Sequence, residues 1–168
     1  MTLRNERYKG FLFRALHKKY SKEPLSGRGA ELYGGRFNPR GTPALYTSLE
    51  PGTTFLEVKR AGPIGNFVLI KFSAKQWPIF DTRDTKEVAK YGLSKEDLAN
   101  PGWINAMESN RSVPTQDLAI KLIEDGYAGL LVQSFVKGAT HENLNLVLWH
   151  WNVGENILEV ESSEEVRY

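Results

Sequence analysis

The sequence predicts an α+β domain built of small mixed β-sheets with flanking helices. Three observations lead there. β-forming runs recur at residues 10–16, 44–47, 66–72, 128–135 and 143–151. One segment, about 115–125, carries an apolar stripe at helical spacing. The two kinds of element mix without the βαβ rhythm of a parallel sheet.

The first strand, Gly-Phe-Leu-Phe-Arg-Ala-Leu at residues 10–16, ends near Arg14. Residues 21–41 are dense in glycine, proline and serine and predict a long loop, a length more often functional than neutral. After Pro43, Ala44 to Thr47 form a short strand. Pro51-Gly52-Thr53-Thr54 opens a helix, with Phe55, Leu56 and Val58 facing inward and Glu57 in the first turns. Asn66 to Phe72 is rich in β-formers. Residues 84–110 are polar with short helical patches: Ser94-Lys95-Glu96-Asp97 reads as a helix entry and Pro101-Gly102 as a break. The clearest helix has Thr115 as its cap, Leu118, Ala119, Leu122 and Ile123 on one face, and Gly126 as its stop. Two strands, at 128–135 and 143–151, complete the core.

At 168 residues the chain is one domain with no internal repeat and no linker. It contains no cysteine, which removes disulfides, thiol nucleophiles and thiolate zinc sites. His17, His141 and His150 are scattered, so no metal is expected. There is no run of eighteen apolar residues, and Met1 to Arg7 lacks the apolar segment of a signal peptide; the location expected is the cytoplasm, with no membrane association. Net charge is +2, with Arg7, Lys9, Arg14, Lys18 and Lys19 near the start and an acidic stretch from Glu155 to Glu165. Such asymmetry can mark a nucleic-acid surface, but a mild one is more simply a solvated face.

Gly27-Arg28-Gly29 begins like a dinucleotide fingerprint, yet it lacks the third glycine and a preceding strand. Ser134 has neither the flanking glycines of a nucleophile elbow nor a nearby histidine. The informative stretch is Gly34-Gly35-Arg36-Phe37-Asn38-Pro39-Arg40-Gly41, followed by Tyr46 and Glu57. Paired glycines allow close backbone approach to a ligand. Arg36 supplies a planar, permanently charged fork suited to phosphate. An aromatic ring and a carboxylate follow at strand-plus-helix distances, which suits a phosphorylated, ring-bearing small molecule. Each residue taken singly also has a plain structural explanation; the combination is what points to a site.

The pattern Gly34-Gly35-Arg36-Phe37-Asn38-x-x-Gly41-x-x-x-Leu45-Tyr46-x-Ser48, then Glu57, resembles the RES domain, with Ser134 after Gly129 to Val132 at the place of the family's serine and Asn143 to Leu148 as the strand beyond it. The resemblance covers about residues 11–150. Phe37 stands where tryptophan is common and Ser48 where alanine is common. The family supplies toxins of bacterial toxin–antitoxin pairs with Xre-type antitoxins. It is similar in fold to ADP-ribosyltransferases, and its members consume NAD⁺ by hydrolysis, phosphorolysis or transfer of ADP-ribose to a protein.

The resemblance therefore implies NAD⁺ as substrate and an Xre-type antitoxin as partner, with a protein acceptor and a homodimer as further partners. It implies Arg36, Tyr46, Glu57 and Ser134 as catalytic residues, and Arg14, Gly35, Arg36, Tyr46 and Asn145 as the residues that bind NAD⁺. Glu57 would face the ribose; Arg36 the pyrophosphate or adjacent hydroxyls, with Arg14 as a second phosphate candidate; Tyr46 would stack on the nicotinamide ring or close the pocket around it; Ser134 would bond the nicotinamide-side ribose or the carboxamide. The chemistry fits these residue types. Loss of nicotinamide converts a cationic pyridinium to a neutral base, and a carboxylate can stabilise the oxocarbenium left on the ribose. Phe55 occupies the position two residues before Glu57 where arginine-directed transferases often carry a second glutamate, which favours NAD⁺ degradation over transfer. A different class, an RNA-binding or RNA-cleaving toxin using the basic start with Tyr8, Phe11 and Phe13, stays open at this point.

Overall fold

The computed structural model describes residues 7–60 and 66–166. Its strands are β1 (Tyr8–His17), β2 (Leu45–Ser48), β3 (Phe67–Gln76), β4 (Ile79–Asp81), β5 (Gly129–Gln133), β6 (Leu144–Leu148) and β7 (Ile157–Val166). Its helices are α1 (Arg28–Tyr33), α2 (Pro51–Arg60), α3 (Thr85–Lys90), α4 (Lys95–Ala99), α5 (Trp103–Glu108) and α6 (Pro114–Glu124). The class is α+β. The strands are hydrogen-bonded into one seven-stranded sheet in the order β4-β5-β6-β2-β1-β3-β7. All neighbours are antiparallel except β4 and β5.

The sheet is joined at its middle by one register pair, Phe13 with Ser48, between β1 and β2. It behaves as two halves. β1, β3 and β7 form one, with ten aligned pairs between β1 and β3; β2, β4, β5 and β6 form the other. Leu12, Ile70 and Phe72 of the first half share a buried cluster with Leu131, Leu146 and Leu148 of the second. The opposite faces of β5 and β6 put Leu130, Val132 and Val147 against Leu118 and Leu122 of α6. Strands with buried residues on both faces read as predominantly apolar runs, which is why β5, and β6 apart from Asn145, are plain in the sequence.

Several local expectations change. The segment 21–41 is not all loop: α1 lies inside it, bracketed by Gly27 as its N-cap and by Gly34 at φ 78°. Thr115 does not cap α6: Val113 holds the N-cap position without a side-chain hydrogen bond, Pro114 is in the first turn, and Thr115 is 3% exposed within the helix. Pro has no N–H to satisfy, so it suits that first turn better than a capping side chain would require. On α2 the buried side chains are Thr53 and Thr54, while Phe55, Leu56 and Val58 are half-buried. The acidic stretch is not a free tail: it is the edge strand β7, anchored by Leu158 in the core. Two exposed ion pairs, Arg7–Glu155 and Lys18–Glu165, set part of the basic start against that acidic end. The Ser94–Asp97 capping box forms as expected, and Gly126, at φ 92°, stops α6.

Candidate active site

The glycine-arginine loop folds into a tight turn. Gly35 N–H donates to Asn38 C=O at 2.9 Å. Asn38 is fully buried, and its Nδ2 donates to the carbonyls of Ala30 and Thr42, each at 2.8 Å. Its Oδ1 accepts from the Tyr46 hydroxyl at 2.5 Å, and that hydroxyl accepts from Phe37 N–H at 3.0 Å. Burial holds the Tyr46 phenol well above its ordinary pKa, partly offset by the Phe37 N–H and the Arg36 charge. A Cβ on Gly35 would collide with the Tyr46 hydroxyl and come within 2.7 Å of Asn38 Oδ1. Gly35 therefore serves the packing of Tyr46 against the loop as well as lining a cavity.

Arg36 is anchored to protein. Its Nη1 donates to the carbonyls of Leu98 at 3.0 Å and Asn100 at 2.9 Å, at the end of α4. The guanidinium also lies over the rings of Phe135, 5.1 Å from the centroid, and Trp103, 5.8 Å away. A planar delocalised cation can lie over aromatic faces while its N–H groups bond carbonyls in its own plane. Arg36 thus ties the 34–41 loop to the polar segment that carries α4 and α5.

Glu57 projects from α2 toward β5 and β6. Its Oε1 accepts from Ser134 Oγ at 2.6 Å and from Asn145 Nδ2 at 2.8 Å. Among the described residues no donor reaches Oε2. Asn145 Oδ1 accepts in turn from Ser48 Oγ at 2.8 Å. Ser134 is 1% exposed, lies outside the lining of both cavities around Glu57, and donates its hydroxyl hydrogen bond to the carboxylate.

Two cavities meet at this carboxylate. The larger, about 590 Å³, is lined by Phe13 to His17 of β1, by Tyr46 to Ser48 of β2, and by Thr54 and Val58 of α2. Beyond the single pair Phe13–Ser48 the two strands part, and the space between their edges is this cavity. The smaller, about 420 Å³, is walled by Gly35, Arg36, Trp103, Val132 and Phe135. Ala30, Tyr46, Glu57 and Asn145 belong to both. Each lobe holds one arginine. Arg14 lines the larger; its Nη1 donates to the carbonyls of Pro24 at 2.8 Å and Ser26 at 3.1 Å. Burial lowers the Arg14 guanidinium to about 10, a sign of a desolvated cation.

The structure thus brings Arg14, Gly35, Arg36, Tyr46, Glu57 and Asn145 to one two-lobed cleft, with Ser134 behind it. Asn38, Trp103 and Phe135 carried no role in the sequence analysis. Asn38 lies inside the Gly34–Gly41 stretch, which was a usable signal, and Phe135 directly follows Ser134; Trp103 lies in the polar 84–110 segment, where no motif marks it. Among the described residues no group of three or more histidines and carboxylates is placed to hold a metal. No helix among them is long and apolar enough to cross a membrane.

A family model described as RES domain matches residues 11–168, a span that takes in most of β1, every residue of the cleft and the edge strand β7. Comparison with curated proteins finds no match.

Proposed function

The chain belongs to the RES domain family, and from that premise we propose that it is a toxin-like enzyme that binds NAD⁺ in the two-lobed cleft and cleaves the nicotinamide–ribose bond beside Glu57. The observation that carries the reading is the placement of the Glu57 carboxylate, held by two donors on one oxygen, in the wall common to both lobes. A dinucleotide has two ring-bearing halves around a pyrophosphate, and a cleft of two lobes with an arginine in each answers that shape and charge.

Cleavage moves the electron pair of the N-glycosidic bond onto the departing ring, which leaves as neutral nicotinamide. Positive charge develops at the ribose C1′ and ring oxygen. Glu57, with Oε1 occupied by its donors, presents Oε2 to that charge. The leaving group needs no proton, so no general acid is required on its side. Water or inorganic phosphate then adds at C1′, giving ADP-ribose or its 1″-phosphate. The aromatic lining of Tyr46, Phe135 and Trp103 supplies stacking surface for a ring and excludes water from it.

In this reading NAD⁺ is the substrate, no metal takes part, the enzyme acts in the cytoplasm, and an Xre-type antitoxin restrains it. The test is nicotinamide release from NAD⁺ by the wild-type protein and by Glu57→Gln, with and without phosphate. Release by wild type and its loss in Glu57→Gln support the assignment; phosphate dependence separates phosphorolysis from hydrolysis. Full turnover by Glu57→Gln would sink it. Label retained on a macromolecule after incubation with ADP-ribosyl-labelled NAD⁺ would replace it with protein ADP-ribosylation.

A further inference from the structure

We propose that Ser48 is a positioning residue for Glu57, acting through the side-chain amide of Asn145. An asparagine amide has one accepting and one donating end, and turning it over exchanges them. Only one orientation suits Glu57: Nδ2 toward Oε1, where it stands at 2.8 Å. The reverse would set two acceptors against each other. The acceptor-only carboxylate selects that orientation, and the hydroxyl of Ser48, donating to Oδ1 at 2.8 Å, holds the amide in place from its other end. Ser48 is 4% exposed, and its loss would remove this donor from Oδ1.

The backbone makes this arrangement exact in register. Ser48 and Asn145 are directly paired across β2 and β6, and Ser48 is also the partner of Phe13 in the one pair that joins the two halves of the sheet. The row Phe13, Ser48, Asn145 therefore runs from the floor of the larger lobe to the carboxylate. Glu57 itself comes from α2, a separate element, and Ser134 from the end of β5. Its rotamer is set by two groups, Ser134 and Asn145, the second held in turn by Ser48. Asn145 is thus assigned chiefly to the carboxylate, and Ser48 is the residue that anchors the other end of its amide.

The proposal is structural in its first arm and rests on the NAD⁺ reading in its second. In a ¹⁵N-labelled, ligand-free sample, the Asn145 side-chain amide protons of the wild type should exchange slowly with solvent. Ser48→Ala should speed that exchange at least fivefold, and Ser48→Thr, which keeps a hydroxyl, should restore protection. In the second arm, Ser48→Ala should lower kcat for nicotinamide release by about tenfold, the effect of one weakened hydrogen bond to a charged group, with KM changed less than twofold. The same substitution in an Asn145→Ala background should cost nothing more, because the route to Glu57 is already gone. Unchanged amide exchange in Ser48→Ala overturns the proposal, as does an additive loss in the double variant. A wild-type protein that releases no nicotinamide would remove the NAD⁺ reading alone, and the exchange arm would still decide the role of Ser48.

Discussion

Ser134 and Glu57, 77 residues apart in the chain, meet with Ser134 Oγ donating to Glu57 Oε1 at 2.6 Å. A hydroxyl–carboxylate bond this short, made by a serine 1% exposed, fixes the acid from the side away from solvent. Ser134→Ala should therefore reduce kcat for nicotinamide release while leaving NAD⁺ affinity close to wild type, since Ser134 lines neither lobe. A hydrogen bond to a charged group contributes roughly 1.5–3 kcal/mol, which corresponds to about a 10- to 100-fold loss. Steady-state kinetics with a separate binding titration check the split. A rise in Kd with kcat preserved would place Ser134 against the ligand instead.

Gly35 is held under Tyr46 with no room for a side chain. Gly35→Ala would push a methyl group into the Tyr46 hydroxyl and Asn38 Oδ1, and Asn38 is fully buried, so the loop cannot yield by moving a surface group. Overpacking of this kind costs about 1–3 kcal/mol. The expected result is a lower thermal midpoint together with loss of turnover. Gly29, where an added Cβ meets nothing within 4 Å, is the matched control, and Gly29→Ala should leave the midpoint unchanged or raised.

Arg36→Lys keeps the charge but not the geometry. The two bonds to the carbonyls of Leu98 and Asn100, and the layering on Phe135 and Trp103, depend on a planar fork. The segment from Leu98 to Trp103 should loosen, visible as faster backbone amide exchange there than in β5. Turnover should fall with it. Unchanged exchange with lost turnover would assign Arg36 to the ligand alone.

Three tyrosines make the fold sensitive to alkali. Burial raises Tyr8 to about 12 and raises Tyr46 further; burial and the hydrogen bond to Asp125 raise Tyr91. The unfolded chain releases these protons near pH 10. A folded pKa above the unfolded one means the stabilisation is complete below about pH 10 and declines as pH rises through the folded values. Denaturant unfolding between pH 9 and pH 11.5 should show that decline. Tyr46→Phe should lower stability at pH 8, through loss of its bonds to Asn38 and Phe37, and flatten the alkaline slope by up to about 1.4 kcal/mol per pH unit. An undiminished slope would exclude Tyr46 from the effect.

The elements legible in the sequence are those whose local pattern and tertiary role agree. β5 and β6 are largely apolar because residues on both their faces are buried, and α6 shows its stripe because one face packs on them. β7 was illegible because an edge strand facing solvent keeps its acids: only Leu158 is drawn into the core, and the pairing with β3 is a backbone matter. α1 was hidden by Gly29 inside it. At the site, Arg36, Tyr46 and Glu57 were identified together because one continuous stretch of chain supplies them. Their partners were not all visible. The anchoring of Arg36 on Leu98, Asn100, Trp103 and Phe135, and the hydrogen bond of Ser48 to Asn145, exist only once distant segments meet.

Arg14 distinguishes the two lobes as phosphate sites. It is a desolvated cation whose Nη1 is bonded to two carbonyls, Pro24 and Ser26, and neither neutralises its charge. An anion entering the larger lobe would gain more from such a group than from a hydrated surface lysine. Arg14→Met keeps much of the apolar stem and removes the charge. ADP-ribose should bind the wild type with an affinity that falls as salt rises, and Arg14→Met should weaken it by about tenfold or more, the effect of a lost charge-assisted bond. Isothermal titration at two salt concentrations measures both. Wild-type affinity in Arg14→Met, with loss in Arg36→Lys, would move the pyrophosphate into the smaller lobe and leave the larger one to a neutral part of the molecule.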